Sequence, residues 1–591
     1  MADIQNDIQG ENGPSVADTM AETNSLAGDI DIKVVKKEFG GKEFDVVYSR
    51  APQLEMMGFA AMQGPRTGQV DVIDGVIIEY DVPVTVRDGS TLYVDVYRPE
   101  GVDKVPAILA PFYTKVVVGA LMQGVVPGTI SKWAKMESAD PGYWCYKGYA
   151  VVNMENRGNG FCDGDTNYWG TQDGLDGYDV CEWVAAQSWC TGKVGAFGNS
   201  GVAMESLFIA AAQPPHLACV APWEASADLY RGFLSPGGIL EEGMTGTLSR
   251  MNYGCRDQYT EDLLLTYEKN PLLNEYWEDK HANLEDIEVP VYVCAGWCHF
   301  HLRGSIETFK KVGTPKKWLR VHRDFEWPDD CVPENMDDLT RFFDRYLKNI
   351  HNGWEMTPRV RLEVLDAGDC NYQHNRPEKE WPLARTQYTK MYLDAATNTF
   401  SLTPVEEEGT VSYESTQGSV AFTYQFTEET ELTGHMKLHL WVESDAARDM
   451  DIFAFVQKTD ENGEFVPVTV IGEPHPGSTG MLRVSLRELD PELSTDYQPV
   501  HKFKKNDWIE PGQIVPIDME ILPQSRIYHA GECLRVVIAG HYERKEGWFE
   551  PIHYVAKNEG NHIIHCGGQY DSYFQAPIVP ARVQAGGYAH R

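Results

Sequence analysis

Positive charge is scarce in this chain. Across 591 residues, 51 lysines and arginines stand against 88 aspartates and glutamates, a formal net charge of −37. Such a surface repels phosphate backbones and anionic headgroups, so neither nucleic acid nor a membrane is an expected partner. No run of about 18 apolar residues suggests a membrane span. The N-terminus lacks a basic stretch followed by an apolar one, so no secretory signal is read there. The twelve cysteines include no CxxC pair, and several (Cys145, Cys181, Cys219, Cys294) sit in apolar stretches. That pattern predicts reduced, buried thiols, not a disulfide framework. The expectation is a soluble, cytoplasmic protein whose oligomeric state is open.

What is present reads as globular, with 42% hydrophobic and 24% charged residues. The length exceeds what one core supports, so two or three domains are expected. Residues 1–30 are acidic, with no lysine or arginine before Lys33, and predict a disordered tail. Val76–Tyr80 and Thr91–Tyr97, separated by Arg87-Asp88-Gly89-Ser90, predict an antiparallel pair. Five apolar runs, Val105–Ala110, Ala150–Met154, Val194–Phe197, Val289–Ala295 and Trp318–Val321, alternate with helical patterns and predict a buried, largely parallel sheet. That α/β unit covers 31–222 and 287–356. Residues 223–286 lose the rhythm and read as a helical cap inserted over the sheet's carboxyl edge. Asp337–Lys348 predicts an amphipathic helix. Residues 357–591 turn to short strands between polar turns, an all-β jelly-roll or sandwich.

The most informative stretch is Lys193–Ala212. An apolar strand runs into Gly198-Asn199-Ser200-Gly201, and a buried helix follows. This is the context of a nucleophile elbow, in which a serine on a strained turn holds its Oγ out while the next backbone N–H faces any oxyanion formed there. Val202 stands where a second glycine is usual. An ordinary βα turn with a capping serine is the plainer alternative.

Several segments together resemble the CocE/NonD hydrolases, which include cocaine esterase-like enzymes and Xaa-Pro dipeptidyl-peptidases. They are Arg87–Pro99, Tyr149–Gly158, Trp189–Ser200, Pro222–Gly238, Leu432–Trp441 and Met481–Pro491. The resemblance implies an α/β-hydrolase domain, a helical cap and a C-terminal jelly roll. It also implies Ser200 as nucleophile, with the Gly201 N–H and the Tyr113 hydroxyl as oxyanion donors.

The remaining positions depart from that family. Its acid, two residues beyond a Gly-Trp pair, falls on His299, and its histidine falls on Glu326. The expected arrangement is an exchanged pair in which His299 is the base and Glu326, or Asp324, orients it; a triad needs an imidazole on Oγ and a carboxylate behind it, not a chain order. Two alternatives stand beside it. His322 or His301 is the base, or the hydrolytic machinery is repurposed for ligand binding or for acid–base cyclisation or isomerisation. The Cys298/His299/His301/His322 spacing is not a recognised zinc pattern, so neither metal nor cofactor is expected. The predicted activity is serine hydrolysis of an ester, lactone or amide of a small acyl compound. Removal of Xaa-Pro dipeptides is a variant of the same chemistry.

Overall fold

The computed structural model describes residues 30–50, 64–112, 124–126, 128–251, 253–543 and 552–580. The expected tail lies almost wholly outside these residues, as does Tyr113. After a short edge strand, Val70–Ile73, the first sheet runs through β1 (Val76–Thr85), β2 (Thr91–Pro99), β3 (Val105–Ala110), β4 (Ala150–Met154), β5 (Cys190–Asn199), β6 (Leu217–Trp223), β7 (Val291–Gly296) and β8 (Lys317–His322). β2 pairs antiparallel with β1 and with β4; β4, β3, β5, β6, β7 and β8 then follow in parallel, giving the order 1-2-4-3-5-6-7-8. Every residue of β3, β4 and β7 is buried, as continuous apolar runs covered by helices on both faces require. The covering helices include α1 (Thr171–Ala185), α2 (Ser200–Ala211), α3 (Leu302–Lys311), a short α4 (Glu326–Asp330) and α5 (Pro333–Tyr346). In α2 the helix is buried nearly all round, which accounts for its lack of a polar face.

The insertion after β6 is less helical than its composition suggests. It holds short helices at Gly243–Arg250, Leu263–Lys269 and Glu275–Asp279 and a two-residue strand, Thr260–Glu261. That strand pairs with an N-terminal hairpin, Asp31–Phe39 with Lys42–Arg50.

From Val360 the chain is β-rich. Its long central strand, Thr430–Ser444, pairs with Val515–Tyr528 on one side and with Asn561–Cys566 and Tyr573–Val579 on the other. Met436, Leu438, Leu440 and Val442 are fully buried while Lys437, His439 and Trp441 between them are not, the period-2 pattern of a strand with one face inward. The two halves share a ladder: β8 pairs in parallel with Val360–Leu365 through Leu319–Val321. All twelve cysteines are free.

Candidate active site

Ser200 begins α2 immediately after β5, and its backbone has φ +50°. A left-handed serine is strained, and such strain persists only where the surroundings enforce it. Two contacts do so here. The Asn199 N–H donates to the Glu137 carbonyl at 2.9 Å. Gly198 lies so close to Val202 that a Cβ on it would stand 2.1 Å from the valine Cγ1. The turn thus has no room for any residue but glycine at 198, and Ser200 is left half-buried at the carboxyl end of the sheet.

The imidazole that meets the serine is His301. Its Nε2 is 3.2 Å from Ser200 Oγ. The geometry here differs from the exchanged arrangement expected from the sequence, which put His299 on the serine. The reason is the turn after β7. The Leu302 N–H bonds to the His299 carbonyl as α3 begins, and His301, the residue preceding that helix, faces the elbow. His299 turns instead into a carboxylate-lined recess. Its Nδ1 accepts from the His301 backbone N–H at 3.3 Å and lies 3.7 Å from Glu224, while its Nε2 lies 3.6 Å from Glu326. Glu326 therefore does stand beside His299, one ring removed from the serine. Asp324, the other carboxylate considered, is half-exposed and pairs with Arg323 at 2.7 Å.

His322 is committed elsewhere. Its Nε2 is 2.7 Å from Glu224 and 3.5 Å from Asp329, and Asp329 is held in turn by both guanidinium nitrogens of Arg320. Burial alone would lower the His322 pKa, but Asp329, Cys294 and Glu224 outweigh it and raise it well above the ordinary value. Burial pushes His301 down to about 3 and His299 well below its usual range, the latter helped by His301, His322 and His475. Both rings next to the serine are neutral near pH 7. Phe233 of the insertion stacks on the His301 ring at 6.0 Å, and Phe300 lies 4.3 Å from it. These apolar neighbours explain the depressed basicity.

Two residues here escaped the sequence reading. Glu224 immediately follows β6 with φ +52° and bridges His299 and His322. Its signal was a carboxylate directly after an apolar strand at the sheet's carboxyl edge. Glu137, buried beside the elbow, is pushed up to about 7 by burial, although hydrogen bonds from the Trp327 indole (3.2 Å) and the Gly201 amide pull the other way. No motif marks it. For metal ligation, His299, His301 and Glu326 bring one ligand atom each within 4.8 Å of one another, and Glu224, Cys294 and His322 do the same. His299, Cys298, Phe300 and Arg303 also line a cavity of about 100 Å³, together with Phe233 and Arg231 from the insertion and His475, His501 and Phe503 from the C-terminal domain.

Residues 88–324 match the X-Pro dipeptidyl-peptidase (S15 family) profile, and residues 352–575 match that of the X-Pro dipeptidyl-peptidase C-terminal non-catalytic domain. A CocE/NonD family hydrolase from Staphylococcus aureus superposes with a TM-score of 0.81 at 31% identity, over 94% of this chain and 98% of that one. Cocaine esterase from Rhodococcus sp. (strain MB1 Bresler) is 24% identical over 606 residues, covering 84% of this chain and 98% of the esterase. An α-amino acid ester hydrolase shares the fold, with a TM-score of 0.62 at 15% identity. Among the described residues no helix is long and apolar enough to cross a membrane.

Proposed function

Because this chain belongs to the CocE/NonD family of hydrolases, we propose that it cleaves an ester, lactone or amide of a small organic acyl compound through an acyl-enzyme on Ser200, with His301 as general base. The observation that carries the reading is the 3.2 Å approach of His301 Nε2 to the hydroxyl of a serine at φ +50°. Attack of Oγ on the carbonyl passes the serine proton to Nε2, and His301 then returns it to the leaving alcohol or amine. Water repeats the cycle on the acyl-enzyme. By the family resemblance the Tyr113 hydroxyl and the Gly201 amide hold the oxyanion, the amide exchanging its bond to the Glu137 carboxyl for that charge; donors aimed at that charge usually supply the largest single share of the rate.

Among the described residues no carboxylate is hydrogen-bonded behind His301, and its Nδ1 is buried with no partner there. The positive charge it gains faces the Glu326 carboxylate, within 4.8 Å of a ring nitrogen, across the neutral His299. Glu326 therefore acts by its field and His299 by holding the arrangement, in place of the direct carboxylate–imidazole bond of an ordinary triad. The relative named cocaine esterase supports an ester as the acyl substrate.

A fluorophosphonate probe tests the core of this. The wild type should label on Ser200, and Ser200→Ala should not. Ser200→Ala and His301→Ala should each lower kcat by about 10⁴-fold or more at unchanged melting temperature. Rapid turnover in Ser200→Ala would refute the acyl-enzyme.

A further inference from the structure

Two imidazoles and a carboxylate converge beside the serine, and we propose that His299, His301 and Glu326 form a site for a divalent transition metal of the zinc type, whose occupancy switches hydrolysis off. Zinc takes imidazole and carboxylate ligands at about 2.0–2.2 Å in a tetrahedron, which sets ligand atoms about 3.4 Å apart. His299 Nε2 and Glu326 Oε1 already stand 3.6 Å apart, and one His301 nitrogen completes a set whose atoms lie within 4.8 Å of one another. Closing the widest pair requires about 1.4 Å, a movement of ring and carboxylate side chains with the backbone fixed. The ligand types are those that suit zinc, not magnesium or calcium, which prefer all-oxygen shells.

Three further observations favour this cluster over the others. Among the described residues His301 Nδ1 is buried without a hydrogen-bond partner, so that ring nitrogen is uncommitted. The second group, Glu224, Cys294 and His322, already holds an ion pair at 2.7 Å. The third, Asp366, His529 and Glu532, is filled by the Lys458 ammonium at 2.7 and 2.6 Å from its two carboxylates. Access is provided by the cavity that His299 lines and by the half-exposed serine.

Loss of activity follows from the electron count of one ring. A neutral imidazole has a single lone pair in its plane. If Nε2 gives that pair to the metal, the serine loses its acceptor directly. If Nδ1 gives it, Nε2 carries the ring proton and donates to Oγ instead of accepting from it. In either case no bond is broken and no proton leaves the serine. Metal binding stands on the geometry alone; the inhibitory effect rests on His301 being the base.

The test separates the two. Full-length Ser200→Ala, which keeps all three ligands, is titrated with cobalt(II) as a spectroscopic substitute for zinc. The expected result is one equivalent bound, with visible d–d bands of a low-coordinate nitrogen–oxygen site and no thiolate charge-transfer band. His299→Ala should abolish the bands, and the isosteric Glu326→Gln should weaken binding by more than the 10–100-fold typical of losing an outer-shell partner. Cys294→Ser should change nothing. Absence of binding, bands that survive His299→Ala, or bands lost in Cys294→Ser would each overturn the site. In the metal-stripped wild type, zinc should then suppress hydrolysis of a p-nitrophenyl ester in step with site occupancy, reversibly with a chelator. Unchanged or faster turnover in zinc-loaded enzyme would overturn the inhibitory role. A stripped wild type inert toward esters would refute the base assignment and that role together, with the cobalt spectra still deciding the site.

Discussion

Changing Glu326 to glutamine removes one charge from the site and almost nothing else. The side chain is 3% exposed, keeps its volume, and lies 3.6 Å from His299 rather than hydrogen-bonded to His301. Its effect on catalysis is therefore electrostatic. An atom of the carboxylate lies within 4.8 Å of a His301 ring nitrogen. Taking about 5.5 Å between charge centres and an effective dielectric of about 20, its attraction for an imidazolium is about 3 kcal/mol, or about 150-fold in the acylation rate. An acid hydrogen-bonded to its histidine costs about 10⁴-fold when converted to the amide, because the wrong tautomer is then stabilised. The two arrangements differ by nearly two decades. The assay is single-turnover acylation by a chromogenic ester at fixed pH, with kcat/KM beside it and a thermal melt as the control for folding. A loss near 10⁴ would mean that Glu326 bonds the base directly, and a loss under about threefold would mean that it does not sense the developing charge. Either result refutes the reasoning.

Other expectations follow from the same geometry. His301, held at about 3 by burial, should put the acidic limb of kcat/KM well below the value near 6.5 of an unperturbed histidine; a limb at 6.5 would point to a solvated base. Tyr113→Phe should lower kcat by about 10²–10³ with little change in KM, as loss of an oxyanion donor does, whereas a change in KM alone would make it a packing residue. The buried histidines should each withdraw stability as pH drops from about 6.5 toward 4. The unfolded chain protonates its histidines near 6.5, but burial delays protonation of His435, His475, His501 and His562 to about 4 and of His301 to about 3, so the unfolded state binds more protons across that window. Burial raises Glu137 to about 7 and Asp173 and Asp330 to about 8, and it raises Asp176, Glu205, Glu241 and Asp451 as well, all acting in the opposite sense. Replacing one ring isolates its share: in denaturant titrations His562→Asn should lose less stability on acidification than the wild type, and an unchanged pH profile would contradict the burial of that ring.

The architecture was readable because its signals are local. Runs such as Val105–Ala110 and Ala150–Met154 are strands at those same limits, since a six- or five-residue apolar run between helical patterns has few other places to go. Ser200 was readable for the same reason: strand, glycines, serine and helix are contiguous. The choice between His299 and His301 was not. They are two residues apart in one loop, and which of them faces the elbow depends on where α3 begins and on Phe233, which arrives from the insertion. Glu224 and Glu137 were missed on similar grounds. Each reaches the site from a separate stretch of chain, and a single carboxylate in an apolar neighbourhood carries no spacing to betray its partner.

The ladder between β8 and Val360–Leu365 bears on how the molecule can be taken apart. Ending the chain before residue 357 would leave β8 as a bare edge, its backbone donors and acceptors open to any passing strand. The β-rich half thus serves the catalytic half as a seam as well as a wall. Glu326 sits four residues beyond the stitched end of β8, so the loop that places its charge hangs from a strand fixed on both flanks. An engineered separation of the two halves should therefore yield aggregates before it yields a smaller enzyme.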